Sequence, residues 1–271
     1  MKTRVIAGLS LLPLLLFVVL FAPKVCTAIL FALMAAISAY ELLIGSGLVK
    51  QIRLSLYSIL AAFWCVLWCG LGIGYQWLLL GILVFWIALF VEMMLSGMRL
   101  RFEKVAVCFA AGLVLPLLFG SLVRIHNMVN GRALLLIPFA LAFLSDTGAY
   151  FVGLKFGKHK LAPDISPKKT VEGAVGGVLG SVLGTALYCF ILDIAFGFEI
   201  NYVFVVFYGI VCSLAGVFGD LCFSVIKRQT GIKDYGNLIP GHGGILDRFD
   251  SMMLVGPLAE VLLLLLPIAV K

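Results

Sequence analysis

Residues 75–95 read YQWLLLGILVFWIALFVEMML, a run with one acid, Glu92, and no basic residue. About 20 predominantly apolar residues is the length of helix that crosses the roughly 30 Å hydrocarbon core of a bilayer. Runs of the same kind, bounded by charge or by Gly/Pro clusters, fall at 5–22, 25–44, 54–70, 104–121, 133–154, 172–193, 201–226 and 251–270. The expected fold is therefore all-α, a polytopic integral membrane protein with about nine transmembrane helices. A transmembrane barrel would alternate polar with apolar residues over about ten positions, and these runs do not.

Composition agrees. Of 271 residues, 63% are hydrophobic and 12% charged, against about 45–50% apolar and about 25% charged in a soluble domain. The first run follows Lys2 and Arg4, but no small-x-small cleavage site precedes Lys24, so it reads as a first helix and not a signal peptide. The seven cysteines lie almost wholly in apolar runs and read as packing. The net charge of +7 reflects orientation and contact with anionic head groups or phosphates, so membrane lipids are expected partners and nucleic acid is not.

With nine crossings, one side holds Lys2, Arg4, Lys50, Arg53, Arg99, Arg101, Lys104, Lys155, Lys158, Lys160, Lys168, Lys169, Lys227, Arg228, Lys233 and Arg248. The other holds only Lys24, Arg124, Arg132 and Lys271. The positive-inside rule then places the N-terminus in the cytoplasm. The chain divides into N-terminal membrane helices, 1–121, and a C-terminal catalytic region, 122–271, whose polar residues gather in the cytoplasmic stretches 155–171 and 227–250.

Two acids interrupt apolar runs in small-residue surroundings: Asp146 in FLSDTGAY (143–150) and Asp220 in AGVFGDL (215–221). A carboxylate at that depth costs several kcal/mol unless paired, hydrated or bound to a cation. Each could pair with a base in helix packing, yet both fall toward the cytoplasmic end of their helices, which suggests one shared site. Asp220, Ser224 and Lys227 share a helical face, so Lys227 can reach an anionic ligand held at the acid; alternatively Lys227 and Arg228 are only a stop signal.

The stretch that follows, TGIKDYGNLIPGHGGILDRFDS (230–251), has Gly241, Gly243 and Gly244, whose N–H groups could line a phosphate nest or form a flexible turn. Asp247, Asp250 and Ser251 open the last helix, where acids are favoured and can hold a hard divalent cation. His242 could orient a carboxylate, contact phosphate or only shape the loop. Neither His126 nor His159 has a zinc-ligand set, so the oxygen-rich donors point to Mg²⁺ or a similar ion. In the other stretch, KFGKHKLAPDISPKKTVEG (155–173), Ser166, Lys168 and Lys169 could clamp a phosphate, with Ser166-Pro167 forming the turn. The Gly-x-x-x-x-Gly-Lys-Ser/Thr and dinucleotide fingerprints are both missing from the sequence.

These stretches resemble the phosphatidate cytidylyltransferase (CDP-diacylglycerol synthase) family. The resemblance rests on SVIKR (224–228), Lys233-Asp234, Gly236, Pro240, His242-Gly243-Gly244, Asp247-Arg248 and Asp250, with SDTGAY (145–150), GKHKLAP (157–163) and SPKKTVEG (166–173) upstream. It implies Mg²⁺-dependent transfer of the CMP moiety of CTP to phosphatidic acid, giving CDP-diacylglycerol and pyrophosphate. It also implies a homodimer; the charge bias places the active site on the cytoplasmic face, and the compact length favours the inner (plasma) membrane. Asp220 and Asp247 are then the expected metal ligands, with Asp146, Asp250 and Lys227 in the catalytic set. Ser166, Lys168, Lys169, Ser224, Lys233, His242, Gly243, Gly244 and Arg248 are the expected substrate contacts. The rival readings are an ion-coupled transporter using Asp146 and Asp220, and a lipid kinase or alcohol phosphotransferase.

Overall fold

The computed structural model describes residues 15–97, 99–239, 241 and 243–270. The expected contributions of Lys2, Arg4, Pro240, His242 and Lys271 lie outside the described residues. So does most of the expected first run, of which 15–21 are helical.

Among the described residues, seven helices are long and apolar enough to cross a membrane: α1 Lys24–Gly45, α2 Ile52–Leu71, α3 Tyr75–Leu95, α4 Phe102–Asn127, α5 Gly131–Phe156, α6 Val171–Phe196 and α7 Tyr202–Gln229. A helical turn α8, Leu246–Phe249, and a shorter helix α9, Met252–Leu265, follow. The expected last run, 251–270, thus becomes a 14-residue helix. At 1.5 Å per residue it is about 21 Å long. Beyond it the chain straightens past Pro267, and β4 (Ala269–Val270) pairs antiparallel with β3 (Glu199–Ile200).

The chain forms two compact units. The first takes residues up to Asn127 together with Gln229–Phe249. Its core is made of small residues on α1, Ala28, Ala32, Ala35 and Ala39, around Phe31. Lipid tails are as apolar as leucine, so helices in a bilayer associate through close packing, which small residues allow. A side chain on Gly70 of α2 would collide with Ala28. By contrast α3 buries only Phe85 and Leu89, as befits a helix whose apolar surface has lipid for a solvent.

The second unit comprises Met128–Arg228 and Asp250–Lys271. Its α5 and α6 cross at glycines: a side chain on Gly148 would strike the Gly176 carbonyl and lie 3.1 Å from the Gly180 Cα. Hydroxyls support the crossing. Ser181 Oγ of α6 donates to the Leu141 carbonyl of α5 at 3.1 Å, while a buried hydrogen bond of 2.7 Å between Ser145 and Ser213 joins α5 to α7.

Between α5 and α6 the chain makes a hairpin, β1 (Lys160–Ala162) against β2 (Ser166–Thr170). The turn lies upstream of the expected Ser166-Pro167: it is Pro163, Asp164 and Ile165 that reverse the chain, with Ile165 N–H donating to the Ala162 carbonyl at 3.2 Å. Pro163-Asp164 has the turn chemistry, whereas Pro167 is tolerated in an edge strand because its missing N–H need not pair. At the hairpin's foot, Thr170 Oγ1 accepts from Gly173 N–H at 3.1 Å and caps α6. Glu172 accepts from the Lys158 and His159 N–H groups at 3.1 and 3.2 Å and contacts His159 Nδ1 at 2.6 Å.

Candidate active site

In the second unit the helical spacing on α7 holds. Ser224 Oγ donates to Asp220 Oδ1 at 3.1 Å, so the two share a face. Lys169 arrives from β2, with its ammonium 2.7 Å from Asp220 Oδ2 and 3.3 Å from the Val217 carbonyl. The two neighbouring lysines differ in surroundings: Lys169 is half-buried while Lys168 is exposed. Arg228, one residue past Lys227, donates from Nε to the Ile165 carbonyl at 3.0 Å and ties the end of α7 to the hairpin turn.

Gly219 lets the chain entering α9 pass close to α7, for a side chain there would lie 2.9 Å from the Asp250 carbonyl. Asp250 therefore sits beside Asp220. Burial pushes its carboxyl well above the usual carboxylate range, Asp220 and more weakly Asp146 add to the rise, and Lys227 opposes it. Thus Asp146, Asp220, Asp250, Lys169 and Lys227, five of the expected residues, act on one another within this unit. Ser166 is half-buried on the same hairpin.

The first unit holds the glycine-rich loop. Asp247 is buried and accepts through Oδ2 from the N–H groups of Tyr235 at 2.8 Å and Gly244 at 3.0 Å. Ile239 N–H donates to the Gly243 carbonyl at 2.9 Å, and Gly243 takes a φ of 87°, a left-handed conformation that glycine adopts without strain. Lys233 and Arg248 are exposed.

Sequence reasoning passed over Glu41, on the last turn of α1. It is buried and accepts from the Ile245 N–H through Oε1 at 3.0 Å and from the Leu246 N–H through Oε2 at 2.8 Å. The N–H groups of Gly244, Ile245 and Leu246, expected in part to face a phosphate, thus bind carboxylates of the protein. The overlooked signal was an acid inside the apolar run 25–44.

Oxygen donors dominate both regions, and no group of three His, Cys, Asp or Glu side chains among the described residues is arranged to hold a metal ion. The donor chemistry nevertheless suits a hard divalent cation. Asp220 and Asp250 crowd each other in a partly buried place, and a bound cation relieves that repulsion.

The comparisons with known proteins extend along the whole chain. The pattern describing the cytidylyltransferase family matches residues 2–266. A phosphatidate cytidylyltransferase of Staphylococcus haemolyticus is 34% identical over 269 residues, covering 97% of this chain and 99% of that one. One from Staphylococcus epidermidis is 35% identical over 266 residues, with coverage of 97% and 99%. One from Staphylococcus aureus is 38% identical over 170 residues, 63% of each chain. On a match of this extent, the chain belongs to the cytidylyltransferase family.

Proposed function

We propose that this protein is a phosphatidate cytidylyltransferase, transferring CMP from CTP to phosphatidic acid and releasing pyrophosphate. The observation that carries the reading is the end-to-end likeness to phosphatidate cytidylyltransferases. The Lys169–Asp220 pair supports it, because it places a cation and an acid of the expected set side by side.

An oxygen of the lipid phosphate attacks the α-phosphorus of CTP, a new P–O bond forms, and the bond to pyrophosphate breaks. The attacking oxygen is ionised near neutral pH, so no strong general base is needed; the barrier lies in bringing two polyanions together. Lys169, Lys168 and Lys227 neutralise substrate oxygens, with Ser166, Ser224, Lys233 and Arg248 as further contacts and His242-Gly243-Gly244 shaping the loop. Asp220, with Asp250 beside it and Asp146 acting on Asp250, would hold Mg²⁺, and Asp247 is the second proposed ligand through its place in the signature. When bound, Mg²⁺ supplies charge neutralisation of the triphosphate.

The enzyme works from the cytoplasmic face of the plasma membrane. The connections 46–51, 96–101, 157–170 and 230–251 alternate with the seven spans, and they carry most of the lysine and arginine outside the helices. Nine crossings, a cytoplasmic N-terminus and a homodimer complete the proposal.

The test supplies purified protein in lipid vesicles with CTP labelled in the cytidine, phosphatidic acid and Mg²⁺. Lipid-extractable label with equimolar pyrophosphate is expected. Wild-type protein that forms neither product overturns the reading.

A further inference from the structure

We propose that Glu41 is a positioning residue for cytidylyl transfer: its carboxylate holds the Ile245–Leu246 backbone and thereby sets the placement of Asp247 and Arg248. The inference rests on the functional reading above. A buried acid is costly unless its oxygens are hydrogen-bonded, and each Glu41 oxygen takes one N–H from the start of α8. Those N–H groups open a helical turn and have no carbonyl partner within it. The match satisfies both sides at once, across a separation of 204 residues.

The loop is shaped around this carboxylate. A side chain on Gly236 or Gly244 would collide with it, and one on Gly45, four residues after Glu41, would collide with the Tyr235 carbonyl. Asp247 grips the same loop from within, holding Tyr235 and Gly244. Three successive N–H groups, 244 to 246, are therefore divided between two acids. Glu41 anchors the loop to α1, and Asp247 is the residue so anchored. No contact of Glu41 with substrate is required; it acts through the backbone that carries Asp247.

Substitution chemistry makes the role testable. Glutamine keeps one acceptor and turns an amide donor toward the second N–H, while aspartate is one methylene short. Wild type, Glu41→Gln and Glu41→Asp are compared in detergent for kcat, KM, half-saturating Mg²⁺ and the rate of tryptic cleavage after Lys233 and Arg248. Glu41→Gln should lower kcat about tenfold or more, raise half-saturating Mg²⁺, and leave KM for phosphatidic acid within about twofold. Cleavage in the loop should quicken, and Glu41→Asp should fall between. Glu41→Gln with wild-type kcat, or with wild-type cleavage, overturns the proposal.

Amide exchange on the wild-type protein serves where a variant fails to fold. Ile245 and Leu246 should exchange far more slowly than the exposed Asn237 and Leu238 of the same loop, and equal rates overturn the proposal. Cleavage and exchange need no turnover. A wild type without activity would therefore sink the functional reading and leave the grip of Glu41 to be judged by these two measurements.

Discussion

Lys169 Nζ lies 2.7 Å from Asp220 Oδ2, an ion pair between the strand that ends the basic hairpin and the helix that carries an expected metal ligand. Both side chains are about three-quarters shielded, with 24% and 29% exposed. Lys168, one residue earlier, faces solvent. Two adjacent lysines, equivalent by composition, thus meet different surroundings.

That difference separates their variants. Lys168→Ala should raise KM for phosphatidic acid severalfold with kcat near wild type, as expected for an exposed phosphate contact. Lys169→Ala should lower kcat by about tenfold or more, since it also removes the ion-pair partner of Asp220. Initial rates at varied phosphatidic acid decide it, and identical kinetic changes in the two variants would count against the assignment.

Asp220→Asn should reduce turnover by about a thousandfold or more at saturating Mg²⁺ while leaving membrane insertion intact. Rates are measured on protein whose size-exclusion profile matches wild type. A purified variant that retains the wild-type rate removes Asp220 from the site.

Asp250 carries a pH signature. Its carboxyl is raised in the folded protein by burial and by Asp220, so the folded state holds the proton more tightly than the unfolded chain. The contribution of Asp250 to metal-free stability is then greatest at low pH and falls as pH climbs from the ordinary carboxylate range toward neutrality, where the folded group ionises. Asp250→Asn should flatten this decline and stabilise the metal-free protein at neutral pH, while weakening its response to Mg²⁺. Thermal unfolding with a chelator, at several values between about pH 5 and 8, measures the slope. A variant with the wild-type slope would place the titration elsewhere.

Gly148→Val tests the crossing that carries Asp146. The added side chain meets the Gly176 carbonyl and the Gly180 Cα, and overpacking of this kind costs about 1–3 kcal/mol. The melting temperature in detergent should fall, and a reduced kcat should accompany it. An unchanged melting temperature would mean that α5 and α6 tolerate a wider separation.

Several parts of the site were legible in residue order because they depend on local periodicity. The helical face joining Asp220 to Ser224 follows from a spacing of four, and the apolar runs follow from lipid as solvent. The hairpin of 160–170 was less legible, because Pro163-Asp164 and Ser166-Pro167 offer competing turns and the strand register decides between them. The extent of the last helix was hidden as well: an apolar run to residue 270 reads as a span, while strand pairing with Glu199–Ile200 takes its final residues out of the helix.

Residue order alone sufficed for the membrane class, the seven described spans and the family signature, since each is written in composition, in an unbroken apolar run or in short spacings. Folding in three dimensions selected Lys169 over Lys168 as the partner of Asp220, set Asp250 beside that acid, and brought Glu41 to the signature loop. Hydrogen bonds and ion pairs join whatever atoms packing brings within about 3 Å, and that proximity is a property of the packed chain and not of distance along it.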